Sequence, residues 1–341
     1  MHAWQHPDGS ASAEGVLLDV PAPAKINLFL HVVGRRDDGY HLLQTAFRFV
    51  DLCDRLDFAV RDDGRIVCEN SLPGVAPEND LIFKAADTLR KASGTRLGAH
   101  IRCRKTIPAG GGLGGGSSDA ATTLMALNRL WQTGFTRAEL QQLALPLGAD
   151  VPVFIFGQPA FAQGVGEELT ALSMPERAYV IIKPVGSVAT ASIFSHPELT
   201  RNSSSFIMSF FADWLTDSKA ANGQYGSLCS DVYSDVNGND KSGNSKNGSG
   251  YFGRNDLEPV VLAQNSSVKR VRMLLDDLGL QSRMTGSGAC FFVEFATLAE
   301  ARVCQQKIAV KMAETGNADA LIEQTWVCQG LNDHPLRNWS D

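Results

Sequence analysis

Residues 24–33, AKINLFLHVV, alternate: Ala24, Ile26, Leu28, Leu30 and Val32 form an apolar face, and Lys25, Asn27, Phe29 and His31 lie on the other. A period of two predicts a strand packed on one side, with Lys25 and Asn27 projecting together about 7 Å apart. A turn at GRRDDGYH follows, then strand-like sequence over 42–60. Residues 79–94 have helical spacing, a polar start and Gly94 as terminator. HIRCRKTIP (100–108) alternates again and is ended by Pro108. Beyond it, Ala121, Leu124, Met125, Leu127 and Leu130 recur at helical intervals, with Ser117 or Ser118 as N-cap. Further helices are predicted over 136–148, 267–279 and 298–309, and strands at 178–184 and within 282–295. Strand and helix patterns mixed in both halves predict two α/β-type domains.

Between the strand ending at Pro108 and the following helix lies PAGGGLGGGSSDAA, with six glycines in the seven positions 110–116. Glycine lets a backbone approach an anion and adopt positive φ, and a helix N-terminus offers unpaired N–H groups. The order strand, glycine loop, helix therefore predicts a phosphate site. Gly110, Gly112 and Gly115 satisfy G-x-G-x-x-G, but no acidic residue lies between Asp119 and Glu139 to serve a dinucleotide ribose. No Gly-Lys pair occurs anywhere, which excludes a Walker loop, and protein-kinase H-R-D and D-F-G elements are missing. A phosphate loop of another class remains.

Of 341 residues, 44% are hydrophobic and 20% charged, enough apolar material for a core or two. A net charge of −6 gives no bulk attraction to nucleic acid or an anionic membrane. No apolar run reaches membrane-spanning length, and residues 1–18 lack the features of a secretory signal and are expected to be a disordered leader. Seven scattered cysteines with no C-x-x-C pair fit a reducing cytoplasm and exclude a zinc site. From Asp217 to Arg254, 19 of 38 residues are Ser, Asn or Gly, a composition too polar to order itself, read as a flexible insertion.

These motifs together resemble the GHMP kinases. PAKINLFLHV near the start, PAGGGLGGGSSDAA in the middle and TGSGACFF near the end match that family's three motifs. Residues 21–47, 147–157 (LGADVPVFIFG), 160–167 (AFAQGVGE) and 255–261 (NDLEPVV) resemble the branch acting on a cytidine diphosphate-linked methylerythritol. The resemblance covers about residues 20–200 and 255–320. It implies an α+β, two-domain fold with the active site in the cleft. The N-terminal ATP-binding domain would span 19–172, and the C-terminal substrate domain 173–330, with its insertion at about 202–254.

It also implies roles. Lys25 and Asp150 match the catalytic pair at the acceptor hydroxyl. The loop formed by Pro108, Ala109, Gly110, Gly111, Gly112, Leu113, Gly114, Gly115, Gly116, Ser117 and Ser118 would cradle the ATP triphosphate. Lys105 would lie near adenine or ribose, helped by Asn79 or Asp80. Tyr40 and Phe194 would stack on the cytosine, His41 would hydrogen-bond it, and Asn27 would hold the methylerythritol. The loop Thr285 to Gly288 would pack near the phosphates. Mg²⁺ is expected with ATP, held by its oxygens and Ser117, since no side-chain cluster has ligand spacing. The expected state is a cytoplasmic monomer or homodimer acting on small molecules. Taken from the residues alone, a kinase for another small alcohol and a nucleotide sensor without turnover stay open.

Overall fold

The structure is a computed structural model describing residues 15–69, 77–205, 254–314 and 321–339; most of the expected leader and insertion lies outside these residues. Strands β1 (Val16–Arg35) and β2 (His41–Arg61) form a long antiparallel hairpin in which Lys25 faces Phe49 and Asn27 faces Phe47. The hairpin turns at the predicted GRRDDGYH segment, where the Arg36 N–H donates to the Tyr40 carbonyl at 2.7 Å. β3 (Ile66–Glu69) and helix α1 (Leu81–Ser93) follow. Asp80 caps α1 by accepting from the Ile82 N–H at 2.8 Å, and Gly94, at φ 67°, ends it in the left-handed conformation.

Next come β4 (Gly98–Arg104), α2 (Gly115–Leu130), α3 (Arg137–Ala144), α4 (Val151–Phe156), β5 (Ala160–Gln163) and β6 (Glu168–Ala171). Three of these positions differ from the sequence expectation. β4 stops before Pro108 because the Thr106 and Ile107 N–H groups turn to the buried Asp54 carboxylate, at 2.5 and 2.8 Å, and leave the ladder. The N-cap of α2 is Gly114, at φ 72°, and neither Ser117 nor Ser118. The chain must turn left-handed there, so both serines fall inside the first turn. α3 ends at Ala144, two residues before Pro146, which sits in a 3-10 turn.

The second half holds β7 (Ala178–Pro184), α5 (Thr190–Phe194), α6 (Glu258–Gln264), α7 (Ser266–Asp277), β8 (Arg283–Met284), β9 (Phe291–Phe295), α8 (Leu298–Glu314) and β10 (Ile322–Leu331). The main path of the sheet runs β3-β4-β2-β10-β7-β9-β8. β10, which no sequence pattern predicted, pairs with β7 along its length and with β2 through Gly330 and Leu331, so the terminal strand joins the halves.

α1 to α4 pack on β2 and β4 in one core, and α6 to α8 cover β7 and β9 in another. A third cluster, with Ile26, Phe29, Leu113 and Cys290, lies between them. β1 is therefore covered on both sides. Lys25, Asn27 and His31, expected on an open face, are 2%, 3% and 0% exposed. Period two marked the strand correctly, but it cannot say what covers the polar face.

Candidate active site

A cavity of about 1060 Å³ opens between the halves. Its floor is the glycine loop with the start of α2. Lys25 and Asn27 of β1 line one wall with Asp150, and Tyr40, His41 and Phe194 line the far end.

The glycine loop is tied to both halves. The Lys25 N–H donates to the Leu113 carbonyl at 2.9 Å, and the Ala289 and Cys290 N–H groups donate to Gly110 and Gly111 carbonyls at 3.2 and 3.1 Å. Gly112 sits at φ 73°, and a Cβ there would lie 2.1 Å from the Thr285 carbonyl oxygen. A Cβ on Gly114 would meet the Lys25 side chain and Phe154 at 3.1 Å. Only glycine allows this approach. With Gly114 supplying no side-chain cap, the first-turn N–H groups of α2 are left for an anion.

Lys25 is almost wholly buried and paired. Its Nζ donates to Asn27 Oδ1 at 2.6 Å, lies 3.2 Å from Asp150 Oδ2 and sits 5.4 Å from the centroid of the Phe47 ring. Asn27 Nδ2 in turn donates to Thr45 Oγ1 at 2.9 Å. Asp150, at the N-terminus of α4, keeps 35% of its side chain exposed and faces the cavity. A fixed ammonium and an accessible carboxylate thus share one spot beside the glycine loop. That pairing suits moving a proton from a hydroxyl while charge builds on a neighbouring phosphoryl group.

Lys105 lines the cavity edge, with its Nζ bonded to Asp54 and, at 2.6 Å, to Asp119 Oδ2. Two carboxylates on one ammonium leave a negative charge in a buried place. Burial, against the pull of Lys105, holds Asp119 up at about 7. Asn79 is exposed on a 3-10 turn and does not line the cavity, and Asp80 is spent on capping α1; Leu81 forms the wall there instead.

At the far end, the His41 and Phe194 rings lie 5.2 Å apart, tilted by 39°, and Tyr40 is 64% exposed at the rim. Burial, with Arg201 and Arg35 nearby, holds His41 below its ordinary range. Of the Thr285–Gly288 loop, Gly286, Ser287 and Gly288 line the cavity.

The resemblance assigns no role to Asn255, Asp54 or Arg201, and places Thr285 only with its loop near the phosphates. Thr285 is fully buried; its Oγ1 accepts from the Asn27 N–H at 2.9 Å and donates to the Gly112 carbonyl at 3.2 Å, joining β1 to the glycine loop. Asn255 Nδ2 holds that loop through the Met284 and Gly286 carbonyls at 3.0 and 2.7 Å. Asp54 anchors the entry to the glycine loop, and Arg201 braces His41. Thr285, inside TGSGACFF, and Asn255, inside NDLEPVV, lie in recognisable motifs; Asp54 and Arg201 do not. Among the described residues no group of three or more His, Cys, Asp or Glu could hold a metal ion, and no helix is long and apolar enough to cross a membrane.

Comparison with known proteins bears on this site. The GHMP kinases N terminal domain matches residues 80–158, and the GHMP kinases C terminal domain matches residues 243–313. The chain is 52% identical over 327 residues to a 4-diphosphocytidyl-2-C-methyl-D-erythritol kinase of Bordetella parapertussis, covering 95% of this chain and 98% of that protein. It is 50% identical over 287 residues to the protein of that name from an Azoarcus species, covering 84% of this chain and 88% of that protein. A crystal structure of a 4-(cytidine 5'-diphospho)-2C-methyl-D-erythritol kinase superposes with a TM-score of 0.69 at 30% identity, covering 92% of this chain and 98% of that one.

Proposed function

Since the chain belongs to the GHMP kinases, and among them to the 4-diphosphocytidyl-2-C-methyl-D-erythritol kinases, we propose that its cavity transfers the γ-phosphoryl group of ATP to the 2-hydroxyl of 4-diphosphocytidyl-2-C-methyl-D-erythritol. The products are the 2-phosphate and ADP, in the non-mevalonate (methylerythritol phosphate) route to isoprenoid precursors. The observation that carries this reading is the Lys25–Asp150 pair, 3.2 Å apart, between the glycine loop and the Tyr40–His41–Phe194 end of one cavity.

Each end has a role. The loop backbone from Gly110 to Ser118 and the start of α2 hold the triphosphate by N–H groups. Mg²⁺ enters with ATP as part of the substrate, on phosphate oxygens, and the Ser117 hydroxyl at the cavity floor is a suitable hard-oxygen donor. Asp150 takes the proton of the acceptor hydroxyl, and Lys25 compensates the charge on the phosphoryl group in transit. Asn27 orients the methylerythritol. Tyr40 and Phe194 stack on the cytosine and His41 hydrogen-bonds it. Lys105, its ammonium paired with Asp54 and Asp119, lies near the adenine or ribose. A cytoplasmic setting goes with this reading, in keeping with the six free cysteines among the described residues.

Incubating the protein with Mg·ATP and the cytidyl compound, then following ³¹P NMR, tests the proposal. A new phosphomonoester coupled to the 2-position, in step with ADP, is expected. A phosphate on another hydroxyl, or no ADP, overturns it.

A further inference from the structure

Arg201 belongs to none of the motifs above, yet its side chain joins the two walls of the far end of the cavity. Its Nε donates to His41 Nε2 at 3.1 Å. Its terminal nitrogens donate to the carbonyls of Leu199 at 3.0 Å, Phe194 at 3.2 Å and His196 at 2.7 Å. One guanidinium therefore braces the C-terminal end of α5, which carries Phe194, and the imidazole opposite.

The direction of the contact to His41 has a chemical consequence. A guanidinium has donors and no acceptor, so His41 Nε2 must offer its lone pair. A neutral imidazole that accepts at Nε2 carries its proton on Nδ1. Burial and the positive charges of Arg201 and Arg35 favour that neutral ring. Nδ1 has no hydrogen-bond partner among the described residues, and His41 lines the cavity. The ring therefore has a donor left to give and no acceptor.

We infer that Arg201 is a positioning residue that sets base specificity: it locks His41 as the Nδ1–H tautomer, which donates to N3 of cytosine and rejects uracil. N3 is a lone pair in cytosine and an N–H in uracil, so a uridine substrate would set two donors face to face. The inference rests on reading the Tyr40–His41–Phe194 end as the base subsite. Without Arg201 the imidazole is free to change tautomer and accept from the uracil N3–H.

The test compares KM and kcat for the 4-diphosphocytidyl substrate and its uridine counterpart in wild type, Arg201→Met and Arg201→Lys. Wild type should favour the cytidyl compound by about tenfold or more, since a buried donor left facing a donor is worth that much. Arg201→Met should shrink the ratio roughly tenfold, through KM more than kcat, while Arg201→Lys, which keeps a donor for Nε2, retains most of it. A purely structural role would raise both KM values together and leave their ratio. Long-range ¹H–¹⁵N correlation of the His41 ring in wild type needs no variant and should place the proton on Nδ1. A proton on Nε2, or an unchanged ratio in a folded Arg201→Met protein, overturns the inference while leaving the kinase assignment intact. A wild type that phosphorylates neither nucleotide removes both.

Discussion

At Lys25 a charged nitrogen has been brought almost out of water, which is tolerable only because Asn27 and Asp150 partner it. Lys25→Met should therefore lower kcat by on the order of 10²–10³ while ATP still binds, and Asp150→Asn should lower it by on the order of 10²–10⁴. Steady-state ADP release and nucleotide titration read the two separately; equal losses of ATP affinity and kcat would argue for a merely structural pair. Tyr40, exposed at the rim, has little folding role. Tyr40→Ala should raise KM for the cytidyl substrate by about tenfold, as one lost stacking contact predicts, and leave Tm within a degree or so. Lys25, Asp150 and Tyr40 lie in short motifs that single them out in the sequence, while Phe194 is named only through the wider resemblance; the structure brings all four to one cavity. Thr285 is named with its loop, but its bonds to Asn27 and Gly112, 258 and 173 positions away, cannot be read from spacing.

At the scale of elements, the glycine loop and the Thr285–Gly288 loop are one unit built from two distant stretches. Gly112 sits against the Thr285 carbonyl with a positive φ, so an added methyl meets both a steric and a conformational obstacle. Gly112→Ala should cost more than about 1 kcal/mol of stability and raise KM for ATP, read by thermal unfolding and by initial rates. Gly94→Ala is the control: its φ is also positive, but nothing lies within 4 Å of an added Cβ, so only stability should fall and KM for ATP should not change. The strand–loop–helix order was readable from spacing and glycine count. The true cap of α2 was not, since a left-handed Gly114 looks like any other glycine in the run. The early end of β4 also stayed hidden, because it depends on Asp54 from another strand.

Across the whole molecule, one sheet carries both halves and β10 closes it, with the segment beyond it returning to the N-terminal core. There His334 packs edge-on to Phe49 and Phe154, its Nδ1 accepting from the Leu336 N–H at 3.1 Å. Burial pulls its pKa from 6.5 to about 3. Between these values the unfolded chain binds a proton that the folded one refuses, so His334 costs stability as pH falls from about 6.5 toward 3. Asp119, held up at about 7, titrates in the same window with the opposite sign. The Tm difference between wild type and His334→Asn isolates the histidine: it should move against wild type on acidification from pH 7 to 4, and a constant difference would contradict the assignment. The mixture of strands and helices in both halves was legible from periodicity, and the α+β arrangement only from the family resemblance. The bridging strand was not legible, because its alternation is weak and its partners lie far back in the chain. Whether the cavity phosphorylates the cytidyl-linked methylerythritol is answered by a substrate panel with Mg·ATP. Rapid ADP release is expected with 4-diphosphocytidyl-2-C-methyl-D-erythritol and none above background with homoserine or mevalonate; turnover of either of those at a comparable kcat/KM would overturn the assignment.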